Sequence, residues 1–200
     1  NLKFDKEGIE EVKRKFFGTL YNTYSFFTLY TNIDGFSYLE EDIPLLERPE
    51  LDRWILSELH TLIQKVDKFY EEYEPTKAAR AISDFTQDYL SNWYVRLSRR
   101  RFWKGDYQQD KISAYQTLYT CMVTIAKIAA PIAPFFMDKL YLDLNAVSKK
   151  ETFESIHLAD FPVFEESYVD KSLERKMEDA QTISSLVLSL RAKEKIKVRQ

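Results

Sequence analysis

The chain has 200 residues, 44% of them hydrophobic and 15% aromatic, with a formal net charge of −3. That length suits one domain, or one domain and the start of another, and its apolar content excludes a disordered chain. One cysteine, Cys121, excludes an internal disulfide and fits a reducing, cytoplasmic setting.

With only four glycines there are few tight turns, so the elements are expected to be long and helical. The first helix is predicted from about Glu7 to Tyr30, with Ile9, Val12, Phe16, Leu20, Tyr24 and Phe27 as its apolar stripe and 32–35 as its stop. An acidic connector through Glu40, Glu41 and Asp42 leads to Pro44. Pro49 then starts a second helix with Trp54, Leu59, Leu62, Val66, Phe69 and Tyr73 on one face. Glu71, Glu72 and Glu74 close it, where the macrodipole would prefer cations.

Pro75 opens the longest helix, which runs to about Lys104 with Gly105 as its stop and Ile82, Phe85, Tyr89 and Trp93 as its stripe. Asp110 is expected to cap a fourth helix reaching Ala130. Pro131 and Pro134 break it, and Phe135 to Leu144 continue as a short helix. Residues 146–166 read as an irregular crossover. The last helix, from about Asp170 to Lys193, carries Leu173, Met177, Ala180, Ile183, Leu186 and Leu190. Beyond it, Lys195 to Val198 alternate as a strand would. Helices of this length on short links predict an all-α antiparallel bundle.

No apolar run approaches a bilayer span and no signal peptide opens the chain, so a soluble protein with no membrane partner is expected. Both ends, Asn1 and Gln200, look cut from a longer protein.

Catalytic material is thin. His60 and His157 stand alone, Cys121 has apolar neighbours that suit an inert buried thiol, and the glycines form no phosphate loop. No catalytic residue and no metal site is predicted, and the chain by itself does not read as an enzyme.

Residues 92–103, NWYVRLSRRRFW, interleave arginines with aromatic rings and contain no acid. Arg96, Arg99, Arg100, Arg101 and Lys104 therefore stand as unopposed cations on an acidic chain. One reading is a polyanion-docking surface, since guanidinium forks match phosphate oxygens and aromatic planes hold them in place. The other is a helix end paired with acids elsewhere in the fold. At roughly 100° per residue, Tyr89, Trp93, Arg96 and Arg100 share a stripe, with Arg99 on one side and Arg101 on the other. The arginines thus wrap the helix end. Arg96 and Arg100 are expected at the core margin against Trp93, bonded to acids such as Glu71 or Glu74. Arg99, Arg101 and Lys104 are expected to face phosphate. A second cationic cluster comprises Arg191, Lys193, Lys195, Lys197 and Arg199, and its plainer reading is a solvated edge.

Several segments together resemble isoleucyl-tRNA synthetases. They are SNWYVRLSRRRFW (91–103), DRWILSEL (52–59), AKIAAPIAPFFMDKLYLDL (126–144), SIHLADFP (155–162) and KEKIKVRQ (193–200), in that order. The opening NLKFD and the helix ending NTYSFFTLYTNIDGF agree, so the resemblance covers essentially the whole chain. It implies the helical anticodon-binding domain of a class I aminoacyl-tRNA synthetase over residues 1–165, with 166–200 leading into the next region. It also implies docking of the anticodon stem-loop of isoleucine tRNA by a monomeric, cytoplasmic parent that uses ATP, magnesium and zinc. The HIGH and KMSKS signatures are absent, so this piece would be inactive alone and would need no cofactor itself. Trp103 and its aromatic neighbours suit base stacking and Asn92 suits a base edge. The alternatives are the equivalent domain of a valyl or leucyl enzyme, or a helical scaffold whose basic end binds an acidic protein.

Overall fold

The computed structural model describes residues 5–104 and 106–197. The chain divides into two compact units at the junction of Val169 and Asp170. Among the described residues there are helices and turns and no strand, so the fold is all-α.

Helix α1 runs unbroken over residues 6–34, as α-helical Lys6–Val12, π-helical Lys13–Phe17 and α-helical Gly18–Asp34. Asp5 caps its start by accepting from the Glu7 amide at 3.1 Å. Gly35, at φ +71°, turns the chain out of the helix, and the Phe36 amide closes back on the Thr31 carbonyl at 3.0 Å. Leu20 and Phe27 are buried as expected, but Ile9 and Val12 at the opening turns are half-exposed. The acidic connector is held by a buried amide on a later helix. Gln116 takes the Ile43 amide at 3.0 Å and gives to the Glu41 carbonyl at 2.9 Å.

Helix α2, Glu50–Glu71, starts where Pro49 places it and buries Trp54, Leu59, Leu62 and Val66. Tyr73 was expected on that stripe. It instead sits beyond the helix at φ 58°, almost fully exposed, in the turn to α3.

Helix α3 covers residues 75–103, as Pro75–Asp84, a π-helical stretch Phe85–Val95 and Arg96–Trp103. The expected stop at Gly105 lies outside the described residues. Helix α4, Gln109–Ala129, is the core element: Ala114, Tyr115, Leu118, Met122 and Ile125 are fully buried. Helix α5, Pro134–Ser148, runs one turn past its expected end. The following segment is irregular apart from short turns at Ile156–Leu158 and Glu166–Tyr168.

Specific bonds fix the directions. Asp52, at the start of α2, meets Ser113 at the start of α4, while Tyr70 near the end of α2 donates to the Ile128 carbonyl at 2.8 Å. These two helices therefore run parallel. Asp52 also meets Arg101 at the far end of α3, and Lys111 meets Asp34 at the far end of α1 (2.9 Å), so α3 and α1 run the other way. This is an up-and-down bundle.

The second unit is helix α6, Lys171–Lys193, capped by Asp170, which accepts from the Leu173 amide at 2.9 Å. None of its residues is buried, and Ile183, Leu186 and Leu190 are all well exposed. Lys195 has φ 54° and the Ile196 amide bonds back to Arg191, so the chain turns where alternation predicted a strand. Val198 and Arg199 lie outside the described residues.

Candidate nucleic-acid interface

The basic run NWYVRLSRRRFW spans the end of α3, and its geometry begins upstream. In the π-helical stretch each amide bonds five residues back rather than four, so each turn takes up more residues than in an α-helix. A stripe drawn with α-helical spacing therefore runs ahead of the real one. The expected line was Tyr89, Trp93, Arg96 and Arg100. The residues that face the core are Leu90, Tyr94, Ser98 and Phe102, each one or two places later.

That lag reverses the expected roles of the arginines. Arg96 and Arg100 are exposed, and neither makes an ion pair among the described residues. The acids proposed for them are placed otherwise: Glu74 pairs with Lys77 at 3.2 Å, and Glu71 is exposed with no such bond. Arg101, expected to face outward, turns to the core margin. Its Nη1 lies 2.6 Å and its Nη2 2.8 Å from the two oxygens of Asp52, a wholly buried carboxylate. Its Nε donates to the Asp110 carboxylate at 3.1 Å and its Nη2 to the Asp110 carbonyl at 2.7 Å. Asp110 is thus a partner of Arg101 and not the helix cap expected; Gln108 takes that position without a side-chain bond.

Asp52 also accepts from the Tyr94 hydroxyl at 2.9 Å and the Ser113 hydroxyl at 2.5 Å. A buried carboxylate costs several kcal/mol unless paired and bonded, and here every lone-pair direction is used. Burial works against the Arg101 charge, but the hydrogen bonds to Asp52 and the nearby anions outweigh it and hold the guanidinium protonated well above its ordinary range. Burial, with Asp52 beside it, likewise pushes the Tyr94 phenol far up. One acid therefore ties α2, α3 and α4 together. Asp52, Tyr94 and Ser113 were not singled out from the sequence. The available signal was an acid at position 52 on the same stripe as Ile55, Leu56 and Leu59, all buried.

With Arg101 turned inward, the remaining arginines no longer wrap the helix. Arg96, Arg99 and Arg100 fall with Trp103 within an arc of about 100°, opposite Ser98 and Phe102. All three are exposed and unpaired among the described residues. Trp103 is 54% exposed. Asn92 is exposed one turn upstream, its amide 3.5 Å from the Asp88 carboxylate, and Lys104 leaves the helix in an extended conformation. This face is a flat cationic strip with one large ring at its end. It suits phosphate oxygens and a stacked base in size and charge. Cations here also complement the negative end of the α3 macrodipole.

The other expected features are set apart from this face. Cys121 is a buried free thiol, pushed upward by burial. His60 is a core-edge residue whose Nδ1 accepts from the Glu165 amide at 3.1 Å beneath the Tyr168 ring. Arg191, Lys193, Lys195 and Lys197 belong to the second unit, where Arg191 donates to the Lys197 carbonyl. No helix is long and apolar enough to cross a membrane among the described residues.

Known proteins agree with this picture. The family described as the anticodon-binding domain of tRNA ligase matches residues 52–200. The isoleucine–tRNA ligase of Bacteroides thetaiotaomicron is 64% identical over 200 residues, 100% of this chain and 17% of that protein. The corresponding ligase of Cytophaga hutchinsonii is 62% identical over 100% of this chain and 18% of its own length. That of Dehalococcoides mccartyi is 48% identical over 198 residues, 99% of this chain and 19% of that protein. The chain thus spans less than a fifth of the length of these relatives, and its residues 52–200 place it in the anticodon-binding domain family of tRNA ligases.

Proposed function

We propose that the outer face of α3 docks the anticodon stem-loop of isoleucine tRNA, within a ligase that joins isoleucine to that tRNA using ATP. The observation that carries this is the strip of Arg96, Arg99 and Arg100, exposed and without ion pairs among the described residues, beside the half-exposed Trp103. The arginines track the phosphate backbone, Lys104 extends the track, Trp103 offers a stacking plane, and Asn92 offers an amide to a base edge. Arg101 is left out of the docking set because all its donors are turned to Asp52 and Asp110.

In this reading residues 1–165 form the docking domain and 166–200 lead into the next region of a monomeric cytoplasmic enzyme. ATP, magnesium and zinc belong to other parts of that enzyme. The described residues do not fit a metal: no three His, Cys, Asp or Glu side chains come together, and the one thiol is buried.

Filter binding of isoleucine tRNA to the full-length ligase, over a salt series, tests the proposal. Affinity is expected to fall steeply with salt through counterion release, and each of Arg96→Ala, Arg99→Ala and Arg100→Ala to flatten the log–log slope by roughly 0.7–0.9. A triple substitution that leaves both affinity and slope at wild-type values would overturn it. Tighter binding to an acidic protein than to RNA would favour the scaffold alternative instead.

A further inference from the structure

We infer that Asp52 and Tyr94 are positioning residues for RNA docking: acting through Arg101, they fix the rotation at which the last turns of α3 present Arg96, Arg99 and Arg100. The inference rests on the docking reading above and adds residues that do not touch RNA.

The need for such a device follows from the helix itself. Over Phe85–Val95 the turns are wide, so the rotation of the helix end is not carried forward from Pro75 by regular α-helical geometry. The regular turns resume at Arg96, and by Lys104 the chain has left the helix. The arginine strip therefore occupies two turns between an irregular stretch and a free end. A slip of one residue there would rotate the strip by about 100°, enough to replace the arginines on the outer face with Leu97 and Arg101.

The clamp sits where it prevents that slip. Tyr94 and Arg101 stand seven residues apart on the same side of α3 and bond to the same carboxylate, at 2.9 Å and at 2.6 and 2.8 Å. Two attachment points along one helix face define its rotation, and they bracket the strip. The Arg101 fork meets Asp52 with two parallel prongs, which fixes the plane of the guanidinium as well as its place. Ser113 holds the far oxygen of Asp52 from α4, so the anchor is itself anchored. Phe102, fully buried against Phe26 and Tyr115, locks the adjacent position.

The test uses the full-length ligase and isoleucine tRNA. Asp52→Asn removes the charge while keeping the shape, and Tyr94→Phe is the milder variant should Asp52→Asn fail to fold. For each folded variant, tRNA affinity is expected to fall roughly five- to tenfold, the scale of a displaced contact, with KM for tRNA raised and kcat held. The salt slope should stay at the wild-type value, because no phosphate contact belongs to these residues. Combined with Arg96→Ala, Arg99→Ala and Arg100→Ala, either variant should add little further loss, since it acts through those arginines. Wild-type affinity in folded Tyr94→Phe, or losses that add in full to those of the arginines, would overturn the inference while leaving the docking reading intact. Arginine substitutions without effect would overturn the docking reading, and this inference with it.

Discussion

Arg101 and Asp52, forty-nine residues apart in sequence, meet in a two-pronged bond at 2.6 and 2.8 Å, with the acid completely shielded from solvent. Removing one partner of such a pair strands the other charge in a low-dielectric setting. Asp52→Ala is therefore expected to destabilise the fold by about 3–5 kcal/mol. Arg101→Ala falls in the same direction. Urea unfolding of each variant gives the value, and a loss below about 1 kcal/mol would show that the pair carries no such weight.

The neighbouring arginines should behave in the opposite way. Arg99→Ala and Arg100→Ala remove exposed side chains with no ion pair among the described residues, so stability should stay within about 0.5 kcal/mol of wild type. Thermal melts of Arg99→Ala, Arg100→Ala and Arg101→Ala run side by side would separate the one inward arginine from its two outward neighbours.

His60 sets a pH dependence. Burial pushes its imidazole below its ordinary value of 6.5, with the nearby Glu165 charge working the other way, and its Nδ1 must be unprotonated to accept the Glu165 amide. The unfolded chain then takes up the proton first. The stabilisation is complete above pH 6.5 and is lost as pH falls from there through the lower folded-state value. The melting temperature of wild type relative to His60→Gln is expected to drop between pH 8 and pH 5. A constant difference across that range would refute it.

Gly35 ends α1 at φ +71°, and a Cβ added there would meet open space. Gly35→Ala should thus cost only the backbone term, about 1 kcal/mol, with no packing penalty. A denaturation midpoint indistinguishable from wild type would count against the left-handed turn.

Cys121 is buried and its thiol is pushed upward by that burial, so almost no thiolate forms near neutrality. A thiol reagent should leave the native protein unlabelled and modify one group after denaturation. Rapid labelling of the folded chain would contradict the packing of α4.

The helices were legible because apolar spacing, Pro49, Pro75 and Gly35 mark them directly. Which arginine faces inward was not legible in the same way. Assigning Arg96 and Arg100 to the core margin assumed uniform turns, and the wide turns of Phe85–Val95 break that assumption without any proline or glycine to announce them. Asp110 misled for a related reason. An acid near a helix start is consistent with a cap, and only the tertiary approach of Arg101 shows that it is used otherwise.

The two ends of α3 are docked independently, Ile82 and Phe85 in the core at one end and Arg101 with Phe102 at the other. The wide turns between them act as a vernier, absorbing the mismatch in angle between two fixed seats. Chain length in this stretch is therefore a more stringent constraint than residue identity. Substitutions along its outer face leave both seats engaged. Inserting or deleting a single residue would force one seat or the other out of register, so variation among natural versions of this helix should occur by exchange of side chains and not by gain or loss of positions.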